Sequence, residues 1–411
     1  MKKTLFLLIA SFSMIFFGAC HKDTAPQTPE GQAEQKPIQI SAAVANSTTH
    51  FAFDFFKTLQ TDPEVTGDIF VSPLSLHMAL GMLVNGATRE TKEEMMKALK
   101  SENLSQTELN ESYKKLLNEL PKADPKVKLG LANAIWYKND FQVEQDFVNA
   151  MKSYFNAQVT GLPFAQSDVT TINKWASDNT NGKIDRVIDQ FSDDLVMLLM
   201  NALYFKGDWT SQFETKNTRD QSFTLENGTT KTVRMMNQTD NFEYASMPDF
   251  DAVQLPYGNK QFRATLLLPK NGKTLPALFN GLTADSWNSL QNAFKNSKVI
   301  LGVPKFTLRQ EFQLNPTLKK MGMQRAFTEF AQLDGLNKTA PLLVSFVKQN
   351  TFAAVDEVGT EAAAVTTIGV GVTSVPVYPE FICNRPFAFI ISEKTSNTIL
   401  FMGRIMDPKT N

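Results

Sequence analysis

The chain has 411 residues, of which 42% are hydrophobic and 20% charged, with a formal net charge of −1. Charge so close to zero, without basic clusters, leaves no electrostatic case for binding nucleic acid or an anionic membrane surface. The length allows one large domain or two, 32 Phe imply a large aromatic core, and no internal repeat points to a solenoid.

In chain order, Met1-Lys2-Lys3 and the short apolar run from Leu5 to Phe17 read as an export signal too short to span a bilayer. The run ends in Phe17-Gly18-Ala19-Cys20, which resembles the lipobox of bacterial lipoproteins, with Phe17 in place of the commoner Leu. That resemblance implies removal of residues 1–19, lipidation of Cys20 and anchoring at the outer membrane. The alternative is an ordinary secretory cut near Ala19. Only Cys383 is then left, so no disulfide is expected. Residues 20–45 are rich in Pro, Gln, Thr and Glu and too poor in apolar groups to fold, and they read as a disordered tether. No later Pro/Gly/Ser-rich break divides the chain, so residues 46–411 read as one domain.

Phe51, Phe55, Phe56 and Leu59 recur at helical spacing. Ser72-Pro73 forms an N-cap and first helical position for a helix that runs to a stop at Gly86. Further helices are expected at Thr88–Leu99, Leu104–Leu120 and Val143–Phe155, and another starts at Ile172–Ser177. Leu131–Trp136 reads as a strand. Val196–Phe205 is apolar almost throughout, as in a strand covered on both faces. Strand patterns recur at Thr232-Val233, Ala252–Leu255, Arg263–Leu268, Lys298–Leu308, Phe387–Ile391 and Ile399–Ile405, with a short helix closing at Leu318–Met323, and Leu342–Val355 leads into the stretch described next. Helices dominate the first half and strands the second, which is an α+β pattern.

The stretch after Val355 is unlike the rest. From Ala362 to Val375 it carries no charge, and one parity, Thr360, Ala362, Ala364, Thr366, Ile368, Val370, Val372, is small and then β-branched. That suits a strand with one buried face, yet its glycines and alanines give it little to hold it as one. Taken alone, it is either an Ala-rich surface linker or a segment with two homes. Glu357 to Thr366 resembles the hinge of the serpin reactive-centre loop, and Asn384-Arg385-Pro386-Phe387 resembles the segment that follows that loop. Asn201-Ala202-Leu203-Tyr204-Phe205-Lys206-Gly207-Asp208-Trp209 resembles another signature of the family. Shorter matches occur at Ser72-Pro73-Leu74-Ser75, Leu255-Pro256-Tyr257, Pro304-Lys305-Phe306, Met321-Gly322-Met323 and Phe401-Met402-Gly403-Arg404.

This resemblance, from about Asn46 to Asp407, implies a serpin fold of eight to nine helices around three β-sheets, with an exposed reactive-centre loop at about 357–380. It implies a suicide-substrate inhibitor of extracellular serine proteases, with cysteine proteases as further targets; the rival is a non-inhibitory binding protein on the same fold. The hinge would be Glu357, Gly359, Thr360, Glu361, Ala362, Ala363 and Ala364. Trp209 would stand where the loop enters the main sheet, and Ser72, Ser75 and Asn173 would lie under its opening seam. Gln349 occupies a place where the family usually has His; its amide either joins that seam or faces solvent. Counting from Glu357 places the scissile bond at Thr373-Ser374, with Val372 and Val375 as neighbouring choices. No Lys or Arg lies between Glu361 and Asn384, so trypsin-like targets are disfavoured and elastase-like or subtilisin-like ones favoured.

Nothing in the sequence points to an enzyme, and no cofactor or metal is expected. The only histidines are His21, His50 and His77, and no nucleophile elbow, zinc motif or phosphate loop is present. His77 lies in an apolar helical pattern and reads as a satisfied core residue. The chain is expected to be a monomer.

Overall fold

The computed structural model describes residues 37–360 and 378–410. Its helices are α1 (Ala42–Gln60), α2 (Pro73–Val84), α3 (Arg89–Ala98), α4 (Gln106–Glu119), α5 (Gln145–Phe155), α6 (Gln166–Asn179), α7 (Leu275–Gly281), α8 (Ala284–Ala293) and α9 (Asn315–Lys320). Its strands begin with β1 (Ile69–Val71), β2 (Val127–Lys138), β3 (Gln158–Leu162), β4 (Met197–Asp208), β5 (Arg219–Thr224) and β6 (Thr230–Ser246). They continue with β7 (Phe250–Pro256), β8 (Phe262–Pro269), β9 (Lys295–Pro304), β10 (Phe306–Gln313) and β11 (Lys348–Val355). The last are β12 (Gly359–Thr360), β13 (Glu380–Ile382), β14 (Phe387–Glu393) and β15 (Ile399–Ile405).

The strands form a nine-stranded sheet, in the order β1-β15-β14-β8-β7-β6-β9-β13 with β5 on β6, and a six-stranded sheet, β10-β11-β12-β4-β2-β3. A third, separate sheet is therefore absent among the described residues. The reason is β6, whose 17 residues pair with β5 and β9 along most of their length and with β7 at the end. Lys298–Leu308, read as one strand, is two: Pro304 ends β9, and after Lys305 the chain enters the other sheet as β10. Ordered structure also starts before the expected boundary at Asn46. Ile38 is buried with its N–H on Thr395 Oγ1, and Val44 lies in the core.

Alternation along β2 sets the two faces of the six-stranded sheet. Ile135 points into the main core with α1, α2 and the nine-stranded sheet, while Ala134 and Trp136 face a smaller core under α6. Helix α2 is buried almost all round, which its sequence anticipates, since His77 is its only titratable residue. Its start is fixed by Ser72, whose hydroxyl accepts from Ser75 N–H, with Pro73 at the first helical position.

Candidate functional site: a wedged hinge above an open slot

The ladder of the six-stranded sheet is interrupted. β11 pairs along its whole length with β10, and β4 pairs with β2 from Met197 to Gly207. Between β11 and β4, however, the only strand among the described residues is β12, two residues long, pairing Thr360 with Val355 on one side and Gly207 on the other. Below it the two long strands share no ladder bond among the described residues, although both have backbone groups on those edges. A cavity of about 480 Å³ runs through this gap, from Leu76 and Leu80 of α2 on the core side to Ile172 and Trp175 of α6 on the other. The chain from Pro341 to Val347 borders it without forming a strand, so β11 starts at Lys348 and not at Leu342.

The hinge sits at the top of this slot. Glu357, Gly359 and Thr360 were expected on an exposed loop; all three are buried, with Thr360 only 3% exposed. Gly359 is required there because a Cβ would lie 2.1 Å from the Gly207 carbonyl oxygen. Trp209 bounds the entrance: its N–H donates to Val358 O at 2.8 Å and its indole Nε1 to Asp356 O at 3.0 Å. Its ring stacks on Tyr257 at 4.4 Å, and the Tyr257 hydroxyl shares a 2.7 Å hydrogen bond with Thr360 Oγ1. Glu357 accepts from Lys305 Nζ at 2.7 Å and from Thr218 Oγ1 at 2.8 Å. Burial pulls its carboxyl upward, but the Lys305 ammonium and the Thr218 hydroxyl outweigh that and leave it below the usual carboxylate range.

Gln349 does not face solvent. Its Nε2 donates to Ser72 O at 2.8 Å and its Oε1 accepts from Ser72 N–H at 2.9 Å, so one amide clamps both backbone groups of Ser72. Ser72 Oγ donates to Leu400 O, and Thr351, two residues along β11, donates to Phe70 O. Ser72 is thus held against β11, and Ser75 borders the cavity. Asn173 is in neither place. It is on α6, across the sheet, where its side chain holds the backbone of Val187 and Ile188. The asparagine that faces the slot from the sheet itself is Asn201, whose Nδ2 donates to Asn133 Oδ1 while its own Oδ1 is buried without a partner.

The roles of Lys305, Thr218, Tyr257 and Asn201 were missed. All but Thr218 lie in motifs legible in the sequence, but the partners of the four are 52 to 139 residues away, and no local pattern pairs them. Glu361, Ala362, Ala363, Ala364, Val372, Thr373, Ser374, Val375 and Cys20 lie outside the described residues. The described ones hold no cluster of three metal-ligating side chains. Cys383 is buried, and burial pushes its thiol up, away from nucleophilic character.

The sequence profile described as Serpin (serine protease inhibitor) matches residues 46–408. The chain belongs to the serpin family. It is 32% identical to human Serpin B4 over 391 residues, which cover 89% of this chain and all of that one. A serpin-like protein of Thermococcus kodakarensis is 31% identical, with 92% of this chain and 87% of that one covered. Among solved structures, the thermophilic serpin tengpin in its native state is similar at a TM-score of 0.83 and 30% identity, covering 91% of this chain and 96% of that chain. The same protein in its latent state gives 0.78, at 29% identity, covering 92% and 100%. Thyroxine-binding globulin in complex with thyroxine gives 0.80 at 26% identity, covering 89% and 99%. Serpins are generally protease inhibitors and not enzymes, though some members do not inhibit.

Proposed function

We propose that this serpin is a suicide-substrate inhibitor of extracellular serine proteases with elastase-like or subtilisin-like preference. The observation that carries this reading is the slot between β11 and β4, which no strand fills among the described residues below β12 at its head. The chemistry belongs to the target: its serine attacks the scissile carbonyl and forms an acyl-enzyme. Insertion of the freed loop as a new strand is carried over from the family; what this chain contributes is the fit.

Continuing the register of Thr360 down the slot brings Ala362 opposite Phe205 and Ala353, and Ala364 opposite Leu203 and Thr351. Small side chains thus arrive where the slot is lined by large ones. Thr366 then arrives between Asn201 and Gln349, where its hydroxyl can donate to the unpartnered Asn201 Oδ1. A strand of about 15 residues at roughly 3.3 Å each would carry the tethered enzyme about 50 Å. We place the scissile bond at Thr373-Ser374, with Val372 and Val375 as neighbours, and a lipid anchor at Cys20 holding the domain, whose ordered part starts ahead of α1, at the bacterial outer membrane.

Incubation with elastases, subtilisins and trypsin, followed by denaturing gels and mass spectrometry of the released peptide, tests the proposal. A covalent complex with an elastase or subtilisin and a cut within 372–375 are expected. Clean cleavage by every protease without a complex would instead favour a non-inhibitory binding protein.

A further inference from the structure

The start of β12 has a fastener of its own. The Tyr257 ring is fully buried, stacked on Trp209 at 4.4 Å and edge-on to Phe205 at 4.9 Å, and its backbone N–H donates to Phe262 O. A Cβ on Gly207 would come within 2.9 Å of Tyr257 Cδ1, so the ring is hemmed in from the strand below as well. Among the described residues its hydroxyl and that of Thr360 bond only to each other, at 2.7 Å.

We propose that Tyr257 is a positioning residue that bolts Gly359 and Thr360 into the sheet before any protease arrives, so that loop insertion begins from a seeded strand. The bolt works through an asymmetry. When Thr360 leaves the slot its hydroxyl reaches water, whereas the phenol, fixed by Trp209, Phe205 and Gly207, cannot follow and stays buried with nothing to bond. An unpartnered buried hydroxyl costs enough to shift the seated fraction on the order of tenfold. Residues 356–358 are held separately, by Trp209, Phe213, Lys305 and Thr218, so the bolt acts on the last two residues and not on the turn as a whole. A seed matters because the acyl-enzyme hydrolyses while the loop inserts. Insertion that starts with its first pairs formed has the shorter course. The inhibitory consequence rests on the function proposed above; the bolt itself does not.

Tyr257→Phe removes only the hydroxyl and keeps the ring. Backbone hydrogen exchange at residues 359 and 360, read by mass spectrometry on the intact chain, is expected to quicken on the order of tenfold, with residues 356–358 left near the wild-type rate. Thr360→Val should have a similar effect, and the double variant should exchange no faster than the faster single one, because both substitutions break one bond. Thr360→Ser, which keeps a hydroxyl, should stay near the wild-type rate. With a protease that the wild type traps, Tyr257→Phe should raise the number of inhibitor molecules consumed per enzyme at least twofold. Wild-type exchange in Tyr257→Phe, or single effects that multiply in the double variant, overturns the bolt. Should Tyr257→Phe fail to fold, the Thr360→Val and Thr360→Ser pair decides in its place, equal exchange in the two counting against. If the wild type traps no protease, the proposed function falls while the exchange measurements still decide the bolt.

Discussion

Gln349 holds Ser72 by both its backbone groups, and an amide neither gains nor loses a proton in the working pH range. Gln349→Leu would strand a buried N–H and a buried C=O, each costing about 1–3 kcal/mol, so a loss of about 2–4 kcal/mol is expected in urea unfolding. Little change would mean that water replaces the amide at the seam. The titrating group of this region is His77, one turn into α2. Its Nε2 contacts Leu99 O at 3.1 Å and its Nδ1 contacts Tyr113 Oη at 2.7 Å, with Phe51 edge-on at 5.0 Å. Burial lowers its pKa to about 4, against the opposing pull of the Leu99 carbonyl. The unfolded chain therefore takes up the proton first. Stability from this group is intact above about pH 6.5, falls by up to ~1.4 kcal/mol per pH unit below it, and levels off near pH 4, for a total of about 3 kcal/mol. Unfolding midpoints measured from pH 7.5 to 4 should show this limb, and His77→Gln should flatten it. Sequence alone marks His77 as a satisfied core residue, because an apolar helical pattern surrounds it. It leaves Gln349 undecided, because alternation along a strand says which residues share a face but not what lies under that face.

At the scale of elements, the hinge depends on matched ends of separate strands. β4 presents Gly207, β12 presents Gly359, and their backbones approach too closely for any side chain between them. Helices with strong caps and periodic apolar faces, α1 and α2 above all, are legible because their signals lie within a few residues. The start of β11 is not: Leu342–Val347 is as apolar as a strand, but its backbone bonds go singly to Ala326, Leu314 and the Asn315 side chain, and no strand runs beside it among the described residues. The division between β9 and β10 is similar, since the strand pattern runs on past Pro304 and only the tertiary arrangement sends the two halves to different sheets. The seating of Thr360 gives a direct prediction. Its side chain is buried against Tyr257, so Thr360→Arg must carry an unpaired charge into the core to keep β12 or start insertion, at a cost of several kcal/mol. The variant should be cleaved as a substrate, with complexes on denaturing gels lost and hydrolysed inhibitor in their place. Complexes at wild-type stoichiometry would show that the hinge does not enter here.

For the molecule as a whole, the slot is a deficit in an otherwise satisfied fold. Every strand of the nine-stranded sheet is paired, and β14 and β15 are buried throughout, whereas among the described residues β11 and β4 are joined only through the two residues of β12. On the function proposed above, this native state is not the most stable arrangement open to the chain. Cutting the loop would then free its first half to fill the slot with about a dozen new ladder positions, each contributing about 1 kcal/mol, along with burial of Ile368, Val370 and Val372. Set against a typical domain stability of about 5–15 kcal/mol, that gain is of the order of the whole. The intact chain should therefore melt well below the chain clipped within 372–375. For a domain of this size about 1 kcal/mol corresponds to roughly 1 °C at the midpoint, so a rise of about 15 °C is expected by calorimetry. The same clip in Thr360→Arg should give a much smaller rise, because the strand cannot pass its first position. A clipped wild-type chain that melts no higher than the intact one would mean that the gap between β11 and β4 is filled in some other way, and the slot would then store nothing with which to distort a protease.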